Sequence, residues 1–207
     1  SIQPGPVLAL FAEDDEDELW RRQADINRAL GTDMASLYNF HAISGCGNDN
    51  IPMEFPRNGT SGVGTELLSH IHKLAGTDPA LIIVDNAADT FSGNEIDRHQ
   101  SNQFLKVALG GLARRTGAAV LLLAHPSIAG MNSKSGLSGS TAWNNGVRSR
   151  LVMERMDSEA ADFDPDIRFL RTVKGNYSRI GDTIQGQWKD VVFVLDKAPG
   201  GGLGAHL

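Results

Sequence analysis

LIIVDN, residues 81–86, is the stretch on which the reading of the chain turns. Leu81, Ile82, Ile83 and Val84 run without alternation, and the run stops at a carboxylate, Asp85. A strand that shows one face to water alternates apolar and polar side chains. An unbroken apolar run bounded by polar residues marks a strand covered on both faces, as in a parallel sheet. Open sheets of that kind take their ligands at the rim beyond the carboxyl ends of the strands, which is where Asp85 is placed.

Working outward, three further runs read in the same way: Val7 to Phe11, Ala118 to Ala124 and Leu151 to Met153. Helical stretches separate them. Asp15 to Leu30 opens with acids, which suit the positive end of a helix, and Glu18 with Arg22 is expected to form an i,i+4 pair. Leu67 to Ala75 is a second helix. Asp97 to Thr116 is a third, with Phe104, Leu105, Ala108, Leu109 and Leu112 on one stripe and Gly117 as its stop. Strands alternating with helices predict an α/β fold around a parallel sheet. Beyond Arg150 the grammar changes. Ile167 to Val173, Thr183 to Trp188 and Val191 to Val194 alternate and predict half-exposed antiparallel strands at the C-terminal edge of the sheet. Asp157 to Asp166 is an acidic loop, and residues 198–207 are expected to form a flexible Gly-rich tail.

The bulk properties narrow the function classes. A chain of 207 residues, 41% hydrophobic and 21% charged, suits one sizeable soluble core, here read as a single domain over residues 1–207. No run approaches a membrane span, and a secretory signal is not expected from the opening residues. The single cysteine, Cys46, excludes an internal disulfide and agrees with a reducing, cytoplasmic location. A net charge of -6 argues against wholesale coating of nucleic acid while allowing a local basic patch. Because SIQPGPVLALF enters a buried strand almost at once, the sequence is expected to begin partway through a domain.

Three strand ends carry polar residues. In nucleotide-hydrolysing folds an Asp placed like Asp85 holds Mg²⁺, generally through its waters; the plainer alternative is a cap for the next helix. VLALFAEDD (residues 7–15) ends in Glu13, Asp14 and Asp15, and Glu13, nearest the strand, is the candidate to orient and deprotonate a water. The alternative is an acidic helix start. VLLLAHPS (residues 120–127) ends in His125, which alone would read as a structural histidine but joins the other two on one rim. His70 and His72, two apart on a helix, face apart and make no metal pair. In GSTAWNNGVRSRL (residues 139–151), Ser140 or Thr141 can cap a short helix that buries Trp143, with Arg148 emerging at its end. Arg148 is either a charge favoured by the helix dipole or a group that reaches a neighbouring subunit's phosphate. TVKGNYS (residues 172–178) places Lys174 and Asn176 where an edge strand meets a turn.

NGTSGVGTELL (residues 58–68) imitates a phosphate-binding loop through the spacing of Gly59 and Gly64. The pattern requires Lys and then Ser or Thr after the second glycine, and here Thr65 and Glu66 stand there. A carboxylate would repel phosphate at that point, so the stretch reads as a helix lead-in.

AEDDEDELWRRQ, LIIVDN, ARRTGAAVLLLAHPS, GSTAWNNGVRSR and VKGNYS, in that order over Val7 to about Gly202, resemble the RecA-like P-loop ATPase fold. Within it they resemble the RepA-like hexameric replicative helicase ATPases. The resemblance implies ATP hydrolysis, with ATP and Mg²⁺ as cofactors, at the junctions of a self-assembled ring, a hexamer when complete. That hydrolysis would drive movement along single-stranded DNA in replication. It implies that Glu13 is the catalytic carboxylate, that Asp85 is the Walker B aspartate on Mg²⁺, and that His125 is the sensor of the γ-phosphate. The loop Ser127 to Leu137 would meet DNA through Lys134. Arg148 would be the arginine finger acting on the adjacent subunit, with Lys174 assisting in trans at the same interface. One element departs from the pattern: no G-x-x-x-x-G-K-[ST] occurs in the sequence, and only six residues precede the Glu13 strand. A domain truncated at its N-terminus is therefore expected, or else a degenerate ATPase that has lost catalysis, in either case hydrolysing ATP poorly or not at all by itself. The competing expectations are a RecA-type recombinase, a regulatory ring ATPase, and a scaffold module that neither binds nor hydrolyses ATP.

Overall fold

In the computed structural model, residues 4–57, 61–76, 78–125, 141–160, 162–177 and 179–195 are described. The chain divides into two compact units. The larger draws on Gln3–Arg21 and Met34–Gly146, the other on Arg22–Asp33 and the chain from Val147 onward.

The larger unit is built on a parallel sheet of four strands. These are β1 (Val7–Phe11), β2 (Phe40–Ser44), β5 (Leu81–Asp85) and β6 (Ala119–Leu122), in the order β2-β1-β5-β6. A small hairpin, β3 (Met53–Glu54) with β4 (Val63–Gly64), stands apart from it. The sheet's core forms where Leu8, Leu10 and Ile82 meet Ile71 of helix α2 (Glu66–Ala75) and Leu112 of helix α5 (Gly110–Thr116). Each such fully buried side chain contributes about 1.5–3 kcal/mol. The continuous apolar runs thus behave as expected in β1 and β5. In β6, which ends the strand order, Leu121 and the following Leu123 are each 40% exposed, so that run is covered less completely.

The expected third helix comprises α4 (Arg98–Asn102), a π-helical segment (Gln103–Leu109) and α5, with a short α3 (Ala87–Thr90) before it. Asp97 caps α4 by accepting from the backbone N–H groups of His99 and Gln100 at 2.8 and 3.2 Å. Gly117 ends α5 at φ 79°, the left-handed conformation that favours glycine. The predicted stripe of Phe104, Leu105, Ala108, Leu109 and Leu112 is buried. The π segment itself was not legible. It closes with the Gly110 N–H donating to Leu105 O, five residues back, and a Cβ on Gly110 would lie 3.2 Å from that oxygen. Glycine permits this close turn.

Helix α1 (Glu16–Leu30) begins under Asp15, whose Oδ1 accepts from Glu18 N at 2.8 Å, and carries Glu16, Asp17 and Glu18 in its first turn. Glu18 also binds Arg21, three residues on, through both Nε and a terminal nitrogen; residues three apart are neighbours on a helix face.

The second unit contains an antiparallel sheet, β7 (Ser149–Arg155), β8 (Ile167–Gly175), β9 (Thr183–Lys189) and β10 (Val192–Leu195), in the order β10-β9-β8-β7. Its three last strands match the alternating runs. Leu151 to Met153 is corrected: it belongs to this sheet, in β7, and not to the parallel one. Leu151 and Met153 point outward and Val152 inward, so an apparently continuous run of three is the middle of an alternating strand. The parallel sheet instead takes β2, whose FHAIS (residues 40–44) mixes a histidine into its apolar residues and hides the pattern. β8 is likewise an inner strand, so Lys174 is not on an edge. The expected tail lies outside the described residues.

Candidate functional site

Register brings the chain ends that carry Glu13 and Asp85 to the same end of the parallel sheet. β1 and β5 pair in parallel with Phe11 opposite Asp85, and Ala12 N donates to Asp85 O at 2.7 Å. Glu13 is the next residue, so its backbone leaves the sheet beside the end of β5. There its Oε1 accepts from Nδ2 of Asn86 at 2.9 Å. Asn86 is 1% exposed, and its Oδ1 accepts from Ala88 N and Asp89 N at 2.8 and 3.3 Å, capping α3. The helix-cap role that the sequence left open for Asp85 thus belongs to its neighbour. β2 closes the same rim: Gly45 N donates to Phe11 O at 2.7 Å and Ser44 Oγ to Asp14 O at 2.8 Å.

On the other side of β5, Leu123 N donates to Val84 O and Ala87 N to Leu123 O. The chain beyond β6 is therefore drawn alongside the start of α3, and His125, exposed, follows two residues later. The ends of three parallel strands accordingly carry Glu13, Asp85 and His125 at the carboxyl rim.

Further round the same unit, Trp143 on α6 (Thr141–Gly146) is half-buried. Its ring meets Phe91 edge-on with centroids 5.1 Å apart, and its Nε1 donates to Glu95 O at 3.2 Å. Phe104 of the π segment and Phe55 complete the cluster around Phe91. Gly146 lets the end of α6 approach Leu105, where a Cβ would lie 2.6 Å from Cδ1. Lys134 and its loop lie outside the described residues, as do Asn58, Gly59 and Thr60 of the phosphate-loop look-alike.

In the second unit Arg148 is exposed just before β7 and donates to the Tyr177 hydroxyl at 3.0 Å. Lys174 Nζ donates to Val147 O at 2.6 Å, and Asn176 N to Arg148 O at 3.1 Å. Arg148 and Lys174 are thus held within one short stretch of β7 and β8, where Arg150 stands opposite Lys174. Burial lowers the pKa of Arg150. On the same two strands Glu154 raises that of Arg171 through a hydrogen bond at 2.6 Å and through its charge.

Mg²⁺ keeps several waters and asks a protein for one or two carboxylates, the remaining ligands coming from phosphate. Asp85 suits that share, with Glu13 on the neighbouring strand end. Among the described residues no group of three or more His, Cys, Asp or Glu is gathered to hold a metal ion by itself.

Residues 1–131 match the profile of a family described as AAA domain. The chain belongs to that family. The match spans Glu13, Asp85 and His125 and stops before Lys134, Arg148 and Lys174. Among solved structures, this AAA domain is similar to the crystal structure of the RadB recombinase, with 12% identity, a TM-score of 0.57, and coverage of 91% of this chain and 78% of that one. At that identity the likeness shows the fold: RecA-like, a parallel sheet flanked by helices with antiparallel strands after it. No curated protein matches the chain. Within the described residues of this AAA domain, no helix is long and apolar enough to cross a membrane.

Sequence reasoning missed Asn86, the residue that joins Asp85's strand to Glu13. A signal was present: an Asn directly after a strand and three or four residues before Asp89 and Thr90 fits an N-cap, but its second contact spans 73 positions of sequence and only folding reveals it.

Proposed function

We propose that this domain is the ATP-hydrolysing part of a RepA-like DNA helicase. In it, hydrolysis at the interfaces of a self-assembled ring drives translocation on single-stranded DNA. The observation that carries the reading is the register of β1 and β5, which puts Glu13 and Asp85 at the same end of adjacent parallel strands, joined through Asn86. Asp85 is the residue to hold Mg²⁺ through its waters. The bound ion supplies neutralisation of phosphate charge. Glu13 orients the attacking water and accepts its proton, and His125 contacts the terminal phosphate from the end of the third strand. Arg148, with Lys174 beside it, reaches the nucleotide of the adjacent copy, and Lys134 contacts DNA phosphate. A Lys-bearing phosphate loop is not among the 207 residues, so these residues by themselves are expected to turn ATP over poorly.

The likeness to a recombinase fold is compatible with a second reading, a RecA-type strand-exchange ATPase. DNA unwinding and strand exchange by the full-length protein separate the two. ATP-dependent unwinding without exchange supports the helicase, exchange without unwinding supports the recombinase, and an assembly indifferent to both ATP and DNA would leave only the scaffold reading.

A further inference from the structure

Asn86 takes no chemical step in the reaction as set out above, yet its side chain is buried and tightly held at the rim. Three of its contacts fix it. Its Oδ1 accepts from two backbone N–H groups, those of Ala88 and Asp89. Its main-chain oxygen accepts from Thr90 Oγ1 at 2.6 Å, and Thr90 is itself fully buried. Two converging N–H donors require the amide oxygen on that side, so the NH₂ group must face the other way. It then meets Glu13 Oε1 at 2.9 Å. The orientation of the amide is thus dictated by α3, and the amide in turn selects the orientation of the carboxylate.

Glu13 needs such a partner. Its side chain is exposed at the mouth of the rim, on a connection between β1 and α1, and an exposed glutamate samples several rotamers. Among the described residues the contact with Asn86 is the side-chain hydrogen bond of Glu13. A general base works only when it stands within hydrogen-bond reach of the proton it takes.

We infer that Asn86 is the positioning residue for Glu13: its buried amide holds Oε1, so that Oε2 faces outward to take the proton from the attacking water. The inference rests on the reading of Glu13 proposed above. In the step that it serves, the water oxygen bonds to the terminal phosphorus while the bond from that phosphorus to the bridging oxygen breaks. The bridging oxygen keeps the electron pair as the nucleoside diphosphate leaves, the terminal group departs as inorganic phosphate, and the water's proton goes to Oε2. Asn86 neither gains nor loses a proton. It fixes where the accepting oxygen stands.

The two duties of Asn86 can be separated by substitution. Ser is a good N-cap and is too short to reach Glu13, so Asn86→Ser keeps α3 capped and releases the carboxylate. Asn86→Asp also keeps the cap and replaces the donor by a second acceptor. Misplacement of a reacting group by about 1 Å costs roughly 10²-fold. In the full-length protein, Asn86→Ser is expected to lower kcat for ATP by about that factor with KM kept within about threefold, and Asn86→Asp by at least as much. Glu13→Gln should abolish turnover, and Asn86→Ser combined with it should lower turnover no further, since both act through one carboxylate. In the 207-residue chain, the side-chain NH₂ resonances of Asn86 should shift on Glu13→Gln while the Ala88 and Asp89 amide resonances stay in place. Wild-type kcat in Asn86→Ser beside an inactive Glu13→Gln would overturn the inference and leave the function of Glu13 standing. Unmoved Asn86 NH₂ resonances on Glu13→Gln would overturn it as well. Turnover undiminished in Glu13→Gln, or absent from the wild-type protein, would overturn the reading of Glu13 and this inference with it.

Discussion

Leu8 and Leu10 on β1 are 3% and 4% exposed, whereas Leu151 and Met153 on β7 are 52% and 59% exposed, although both stretches read as apolar runs. The contrast extends to the polar residues at their ends. In the parallel sheet, Glu13 and Asp85 stand beyond strands that are packed and in register, so the core sets where the carboxylates emerge. In the antiparallel sheet, Arg148 donates to a Tyr177 hydroxyl that is itself exposed, and Lys174 to a backbone oxygen. The packed parallel strands set where the acidic groups leave the sheet, while Arg148 stands exposed just before β7.

The comparison is sharpened first by catalysis. If Arg148 acts on a neighbouring copy's nucleotide, Arg148→Ala in the full-length protein leaves ATP binding intact and lowers turnover by about 10³-fold or more, read by steady-state kinetics beside calorimetry. Normal turnover would make Arg148 an ordinary surface charge. Tyr177→Phe removes only the resting partner and should leave turnover within about threefold.

Stability comes next. Phe104, fully buried under Phe91 and Trp143, should lose about 3–5 kcal/mol on truncation to alanine, measured by denaturant unfolding. The same truncation at Leu151 should stay within about 0.5–1 kcal/mol. Equal losses at the two positions would erase the distinction between the packing of the two units. A change of similar size is expected at the α4 cap: Asp97→Ala should cost about 1 kcal/mol, and Asp97→Ser, the smallest effect, much less.

What could be read in advance follows from the same contrast. β1 and β5 were legible because strands covered on both faces leave long unbroken apolar runs, and the helix from Arg98 to Thr116 because its buried stripe and its Gly117 stop are local signals. β2 was hidden because a strand at the end of the sheet order tolerates His41, exposed, within FHAIS. Leu151 to Met153 misled because three residues cannot show a period of two. At the site, the residues on strand ends could be proposed from position alone. Asn86 could not, because its value lies in a contact with a residue 73 positions away, and no local pattern encodes that distance. The π segment was equally invisible: it alters hydrogen bonding from four residues to five without disturbing which side chains face the core.

The most direct test of the account is calorimetric titration of the full-length protein with Mg·ATP, comparing wild type, Asp85→Ala and Glu13→Gln. The account predicts that Glu13→Gln binds as wild type does and that Asp85→Ala binds at least about tenfold more weakly, because one carboxylate holds the ion and the other acts on water. Binding unchanged by Asp85→Ala would contradict it, and would remove the carboxyl rim of the parallel sheet as the place where this AAA domain meets its nucleotide.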